Sequence, residues 1–293
     1  MLTKGLDNVQ GTSGNDTIIG SIDNNGTPNV ELNTLSTLDI VNGGAGVDTL
    51  SINVTGGPAV VLPNMSNVEI VKVESDAGAT VNTSTIAGVT NLNVTKAAGA
   101  IIATAAATTD VGVSVKGITG NTVAVVGGKD VNVTTTDAVA TIGVGVGAAV
   151  DPVGAVTISA TGAAAANANT AVTLGNITVG GGKTISVTQK ATSDASALVA
   201  GAGAVTHNQG DVTVVAAATT TDVTIKQDAG VTAENGAVAV AGVAPVATVK
   251  FGAMALNDTI VIGGLTFTAA KALTAAEAAA AFANLSKDFA PMA

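Results

Sequence analysis

The chain has 293 residues, 47% of them hydrophobic but only 1% aromatic, with no Cys, Trp or Tyr. Its formal charge is −10, from 21 acidic residues against 11 basic ones that are all Lys. This balance argues against nucleic acid as a partner, since phosphate binding needs clustered cations and usually stacking rings. It equally disfavours a compact core centred on large aromatics.

Ala and Val supply most of the hydrophobic content, and 36 Gly accompany them. A thin core repeated along an axis needs only small branched residues and turns at every coil, so the composition predicts a repeat architecture. The start, MLTKGLDNVQ, lacks the apolar stretch of a secretory signal. No run reaches membrane-spanning length without an interrupting Gly, Thr or charge, so a soluble chain with no membrane insertion is expected.

Residues 1–52 carry glycine–aspartate clusters. Gly11-Thr12-Ser13-Gly14-Asn15-Asp16-Thr17-Ile18-Ile19 and Gly43-Gly44-Ala45-Gly46-Val47-Asp48-Thr49-Leu50-Ser51 follow the nonapeptide G-G-x-G-x-D-x-U-x, in which U is apolar. The second fits throughout and the first departs only at Thr12. Asp7 stands nine residues before Asp16, and Asp39 nine before Asp48, so each good unit follows a degenerate one. Asp16 and Asp48 lie 32 residues apart, roughly 14 more than a coil of two nonapeptides. The intervening SIDNNGTPNVELNTLS therefore reads as an excursion that leaves the two loops stacked.

Residues 53–244 are a succession of short alternating segments: NVEIVKV (67–73), TNLNVT (90–95), DVGVSV (110–115), DVNVT (130–134), AVTIS (155–159), TISVT (184–188) and DVTIK (222–226). Period-2 alternation of Val or Ile with Asn, Thr or Ser predicts half-buried strands. Their spacing, near 20 residues at first and longer later, suits stacked coils. Ala-, Gly- and Thr-rich stretches such as SATGAAAANANT (159–170) read as turns and loops between coils.

Residues 245–293 change character, with Phe and Met concentrated there. TVKFGAM and DTIVIGGLTFTA read as a hairpin with a Gly-Gly turn. LTAAEAAAAFANLSKDF reads as a helix, with Thr274 and Glu277 as a capping box and Phe282, Leu285 and Phe289 as its apolar face. This small α/β module reads as cut short at Ala293. The fold expected is thus all-β: an elongated parallel β-solenoid or β-roll with a small C-terminal α/β module.

The nonapeptide spacing has a chemical reason. Glycines allow backbone conformations that turn carbonyl oxygens inward, and the Asp carboxylate completes a hard oxygen cage for Ca²⁺. The candidate ligands are Asp16 and Asp48 through their side chains and Gly14, Gly44 and Gly46 through carbonyls, with Asp7 and Asp39 behind them. The competing reading is plain turns, because Gly and Asp form turns in any case.

An enzyme is not expected. His207 is the sole His, and a triad with Asp211 and some Ser requires a convergence that the sequence does not display. Glu69 and Glu74 are near in sequence, but Glu69 reads as a solvated strand position. Carbohydrate-active β-helix enzymes share this fold class, yet their clefts usually carry aromatic platforms and Arg.

The nonapeptides resemble those of RTX proteins exported by type I secretion. The order DNVQGTSGNDTI, LSTLDIVNGGAGVDTLSI and NVEIVKV, followed by a Val-Thr-Asn-rich solenoid, is similar to calcium-dependent bacterial surface-layer proteins. TISVTQKATSDA and TTTDVTIKQDAG resemble repeated segments of that group, and VKFGAM…IVIGGLTFTA…LTAAEAAAAFANL resembles a module of large repetitive surface proteins. The resemblance implies an extracellular, cell-surface protein that assembles with copies of itself into a two-dimensional lattice and requires Ca²⁺. It also implies cell-surface polysaccharide as a partner through an anchor. The alternative it leaves open is the shaft of an RTX-type adhesin.

Overall fold

The computed structural model describes residues 1–24, 33–118, 120–136, 141–147, 150–165, 171–194, 204–233, 239–243, 247–262 and 265–282. The chain winds as successive coils. The first coil carries β1 (Asn8–Gln10) and β2 (Thr17–Asp23), the second β3 (Ile40–Asn42) and β4 (Thr49–Thr55), and the third β5 (Asn64–Ser66) and β6 (Ile70–Ser75). Next come β7 (Ala79–Asn82) with β8 (Asn91–Lys96), and β9 (Ile101–Ala105) with β10 (Asp110–Lys116). Then follow β11 (Thr122–Gly127) with β12 (Val131–Thr136), and β13 (Thr141–Val144) with β14 (Ala155–Ala165). Later coils add a third strand. One holds β15 (Ala171–Thr173), β16 (Ile177–Gly180) and β17 (Thr184–Asp194); the next holds β18 (Ala204–Asn208), β19 (Val212–Val215) and β20 (Asp222–Ala233). β21 (Ala239–Val243) and β22 (Ala247–Lys250) end the winding.

Among the described residues, one strand of each coil joins a nine-stranded parallel sheet, ordered β2-β4-β6-β8-β10-β12-β14-β17-β20. The opposing wall is a three-stranded sheet, β1-β3-β5, and then a seven-stranded sheet running from β7 to β22. β15, β18 and β21 form a further parallel sheet. The seven alternating segments singled out above all fall on the nine-stranded sheet. The architecture is a parallel β-solenoid. The boundary expected after residue 52 falls inside β4, and the nine-stranded sheet runs through it unbroken.

Why small aliphatics suffice is visible in the register. Ile18, Leu50, Val71, Leu92, Val111, Val131, Val156, Ile185 and Val223 are mutual partners on successive strands, and all are buried. Ala79, Ile101, Val123, Ile142, Ile177 and Val212 make the matching column on the opposing wall. Each side chain rests on its equivalent one strand spacing away, about 4.8 Å. β-branched residues fill such a column without a central aromatic.

Coil length varies. Hydrogen-bonded equivalents are 32 residues apart between the first two coils, 21 between the second and third, and 38 near the end. The third strand of the later coils takes up the added length. Part of SATGAAAANANT, expected as a loop, is strand instead: β14 runs to Ala165 and pairs with β17 up to Asp194. Alternation is invisible in a run of Ala and Gly, so the pairing partner alone defines that strand. Residues 166–170 of the segment lie outside the described residues.

The 32-residue coil also covers the outer edge of β2. The Leu2 N–H donates to the Ile19 carbonyl (2.8 Å), and the Thr34 and Leu35 N–H groups donate to the Ser21 carbonyl (2.9 and 3.2 Å). The Ser21 N–H donates to Thr34 Oγ1 (2.9 Å), and the Asp23 N–H to Asn33 Oδ1. Gly20 stands where the next coil has Ile52, and Leu2 and Leu35, both buried, occupy the space that it leaves. An edge strand that would otherwise accept another chain is thereby occupied from within.

Beyond β22, β23 (Thr259–Ile262) and β24 (Leu265–Thr268) pair antiparallel as expected, and the Gly263-Gly264 turn read between them lies outside the described residues. TVK belongs instead to the solenoid, through the pairing of β22 with β19. α1 (Ala275–Ala281) begins with the capping box, as Thr274 and Glu277 bond each other's backbone reciprocally. Phe282 stacks on Phe251 at 5.2 Å and meets Phe267 edge-on at 5.5 Å. Leu285 and Phe289 of the expected helix face lie outside the described residues. No helix among the described residues is long and apolar enough to cross a membrane.

Candidate metal centre

The loops that carry the nonapeptides stack at the 32-residue offset. The Asp16 N–H donates to Asp48 Oδ1 (2.7 Å), and the Thr49 N–H donates to the Asp16 carbonyl (2.9 Å). At the other end of β1 the Asp7 N–H donates to Asp39 Oδ1 (3.1 Å). The four aspartates thus form two pairs, Asp7 with Asp39 and Asp16 with Asp48. Asp48 lies beneath Asp16 as expected; of the segment read as an excursion, Ser21–Asp23 belong to β2 and residues 25–32 lie outside the described residues.

Most of the carboxylate oxygens close turns. Asp16 Oδ2 accepts from the N–H and hydroxyl of Thr12 (2.6 and 2.8 Å). Asp7 accepts from the N–H and hydroxyl of Thr3 (2.7 and 2.9 Å). Asp39 Oδ2 accepts from the Ser36 N–H (2.7 Å). Asp48 differs. Like Asp39 it is fully buried, but while Oδ1 serves Asp16, Oδ2 has no hydrogen-bond partner. An unpaired buried carboxylate oxygen carries a desolvation cost that a cation or a donor would relieve.

The glycines divide by reason. Gly44 and Gly46 have φ of +103° and +120°, the left-handed range that side chains avoid. The third coil puts Asn67, with φ of 51°, at the equivalent turn. Gly14 has neither constraint: a Cβ there would find nothing nearer than Thr12 Oγ1 at 3.8 Å. Gly11 and Gly43 are required by stacking, because a Cβ on either would lie 1.8 Å from a carbonyl oxygen of the next coil, that of Gly43 or of Asn67.

Two contributors escaped the sequence reading. Glu69, expected as a solvated strand position, is half-buried, and its Oε2 accepts from the Asp48 N–H (2.8 Å). It extends the carboxylate ladder to Asp16–Asp48–Glu69. Asn67 joins Asn42 and Gln10 in an amide ladder (2.9 and 3.0 Å). Glu69 stands 21 residues after Asp48 and Asn67 stands 25 after Asn42, offsets that become a signal only once the coil lengths are known.

The orphaned Asp48 Oδ2 fits a hard cation, since Ca²⁺ takes carboxylate and backbone carbonyl oxygens. Among the described residues no group of three or more acidic or His side chains converges. An ion at this corner would therefore be held by Asp48 and Asp16 with backbone carbonyls.

His207 lies elsewhere, buried on β18. Desolvation pushes its pKa below the ordinary 6.5. The unfolded chain then binds more protons than the folded one as pH falls through 6.5, so this group's contribution to stability is present above that pH and is lost below it. Urea denaturation well above and well below pH 6.5 should show this loss, and His207→Gln should flatten the slope.

No protein-family model matches the chain, and no curated protein sequence matches it.

Proposed function

We propose that the chain is a structural element of a bacterial cell surface: a protomer, or part of one, of a self-assembling layer whose first coils are stabilised by Ca²⁺. The observation that carries this reading is Asp48, a fully buried carboxylate with one unpartnered oxygen, stacked on Asp16 at the head of a long parallel solenoid. Bound Ca²⁺ would supply the positive charge that this corner lacks, so that binding energy becomes folding energy of the first coils. The remaining coils supply a stiff body with a dry aliphatic interior and an outer face of Thr, Asn and Ser. Such a body suits mechanical display at a cell surface.

The covered outer edge of β2 favours lateral contacts between copies over end-to-end growth. It is equally compatible with a second reading, the shaft of an extracellular adhesin.

A calcium titration followed by circular dichroism and light scattering tests the proposal. Ca²⁺ is expected to raise the melting temperature and trigger ordered assembly, and chelation to reverse both. Asp48→Asn keeps an acceptor for the Asp16 N–H but removes the charge. It should abolish the calcium response while leaving the calcium-free fold as stable as before, or slightly more so. A protein indifferent to Ca²⁺ would make the corner a set of turns and remove the layer reading. Folded monomers that bind Ca²⁺ without assembling would favour the adhesin shaft.

A further inference from the structure

Two segments far apart in sequence meet over the outer edge of β2. Residues 2–7 lead into β1, and residues 33–39 lead into β3. Between them they bond the Ile19 carbonyl, the N–H and carbonyl of Ser21, and the Asp23 N–H. These are backbone groups that a further strand would take, so the two segments together stand in for one.

Each segment turns back on the aspartate that ends it. Asp7 Oδ2 and Oδ1 accept from the N–H and the hydroxyl of Thr3 (2.7 and 2.9 Å). Asp39 Oδ2 accepts from the Ser36 N–H (2.7 Å), and the Asp39 N–H donates to the Ser36 carbonyl (3.3 Å). Thr3 follows Leu2 and Ser36 follows Leu35, so each turn sets one of the two leucines over Gly20.

Asp39 also joins the two segments. Its Oδ1 accepts from the Asp7 N–H (3.1 Å), and its side chain is buried. One carboxylate thereby holds both turns, with one oxygen for each. A cleft of about 430 Å³, lined by Leu6, Leu35 and Leu38 among others, lies between the segments. Packing between them is incomplete, and Asp39 with the leucine pair over Gly20 carries the connection.

We propose that residues 2–7 and 33–39 form one lid, latched by Asp39, that opens and closes over β2 as a unit without unwinding the coils beneath. The lid is held to β2 by a few bonds and two leucines, whereas β2 pairs with β4 along its full length. Lid opening is therefore the lower-energy event. Asp39 is a positioning residue here, and the latch works without bound calcium.

The test is native-state hydrogen exchange of the full chain, read by NMR with a chelator present. The Leu2, Thr3, Leu35 and Ser36 amides should share one opening free energy, below that of the interior amides of β4 and β6. Thr3→Val removes the hydroxyl bonded to Asp7 and leaves residues 33–39 untouched. It should lower protection at Leu35 and Ser36 by the same factor as at Leu2. Asp39→Asn keeps one acceptor oxygen and turns an NH₂ toward the other backbone N–H. It should lower protection in both segments by about tenfold or more, as for the loss of a hydrogen bond to a charged group, while β4 and β6 stay unchanged. The proposal is overturned if Thr3→Val leaves Leu35 and Ser36 unaffected, or if Asp39→Asn changes one segment alone. It is also overturned if either variant lowers protection in β4 and β6 as much as in the lid, because no separate lid would then exist.

Discussion

Gly43→Ala is expected to unfold the first coils. The added Cβ would lie 1.8 Å from the Asn67 carbonyl oxygen and 2.5 Å from Asp48 Oδ2. The nearer atom is backbone belonging to the next coil, so no rotamer change relieves the clash and the stack must separate. Overpacking in a well-filled interior costs about 1–3 kcal/mol; a backbone collision of this depth should exceed that range. Because coils bind mainly their neighbours, the damage should stay local. Hydrogen exchange should show β2, β4 and β6 losing protection while β10 to β17 retain it. Gly14→Ala, a change within the same motif type, should alter stability by less than about 0.5 kcal/mol. Equal effects of the two changes would mean that the glycines serve chain flexibility and not coil stacking.

Leu35→Asp is expected to open the end of the solenoid. Leu35 is 3% exposed, sits beside Leu2 over Gly20, and its N–H helps to occupy the outer edge of β2. Losing a buried Leu costs about 2–5 kcal/mol, and a carboxylate in its place adds a desolvation penalty. The cap should detach before the body unfolds. An uncovered edge strand recruits other strands, so the variant should form end-to-end dimers or larger species in sedimentation, and the parent should not. Leu35→Ala should give a weaker form of the same change. A monomeric variant in which Ile19 and Ser21 remain unchanged by NMR would show that the excursion is not what seals this edge.

The two predictions share a physical basis. In a stacked coil the neighbour of each residue is one turn away in space and many residues away in sequence. Gly43 therefore answers to Asn67, and Gly20 to Leu2 and Leu35. The same holds for Asp48, whose burial is created by coils on both sides, through Asp16 above and Glu69 below. None of these relations has a signature within a short window of residues.

What the sequence by itself determined is local in origin. Alternation of Val or Ile with Asn, Thr or Ser marked the strands of the nine-stranded sheet and which of their side chains face inward. Glycine–aspartate spacing located the turning loops, and Thr274 with Glu277 located the helix start. Each rests on backbone conformation or on partners within a few residues. The tertiary structure alone decided which strands are neighbours, because the coil length runs from 32 residues to about 20 and then to 38, and no single period exists to be read. It alone decided that β14 continues through an alanine-rich run, that Glu69 caps a corner, and that two leucines close one end. Those outcomes depend on contacts between coils, and the energy of such a contact belongs to a pair of residues that the sequence keeps far apart.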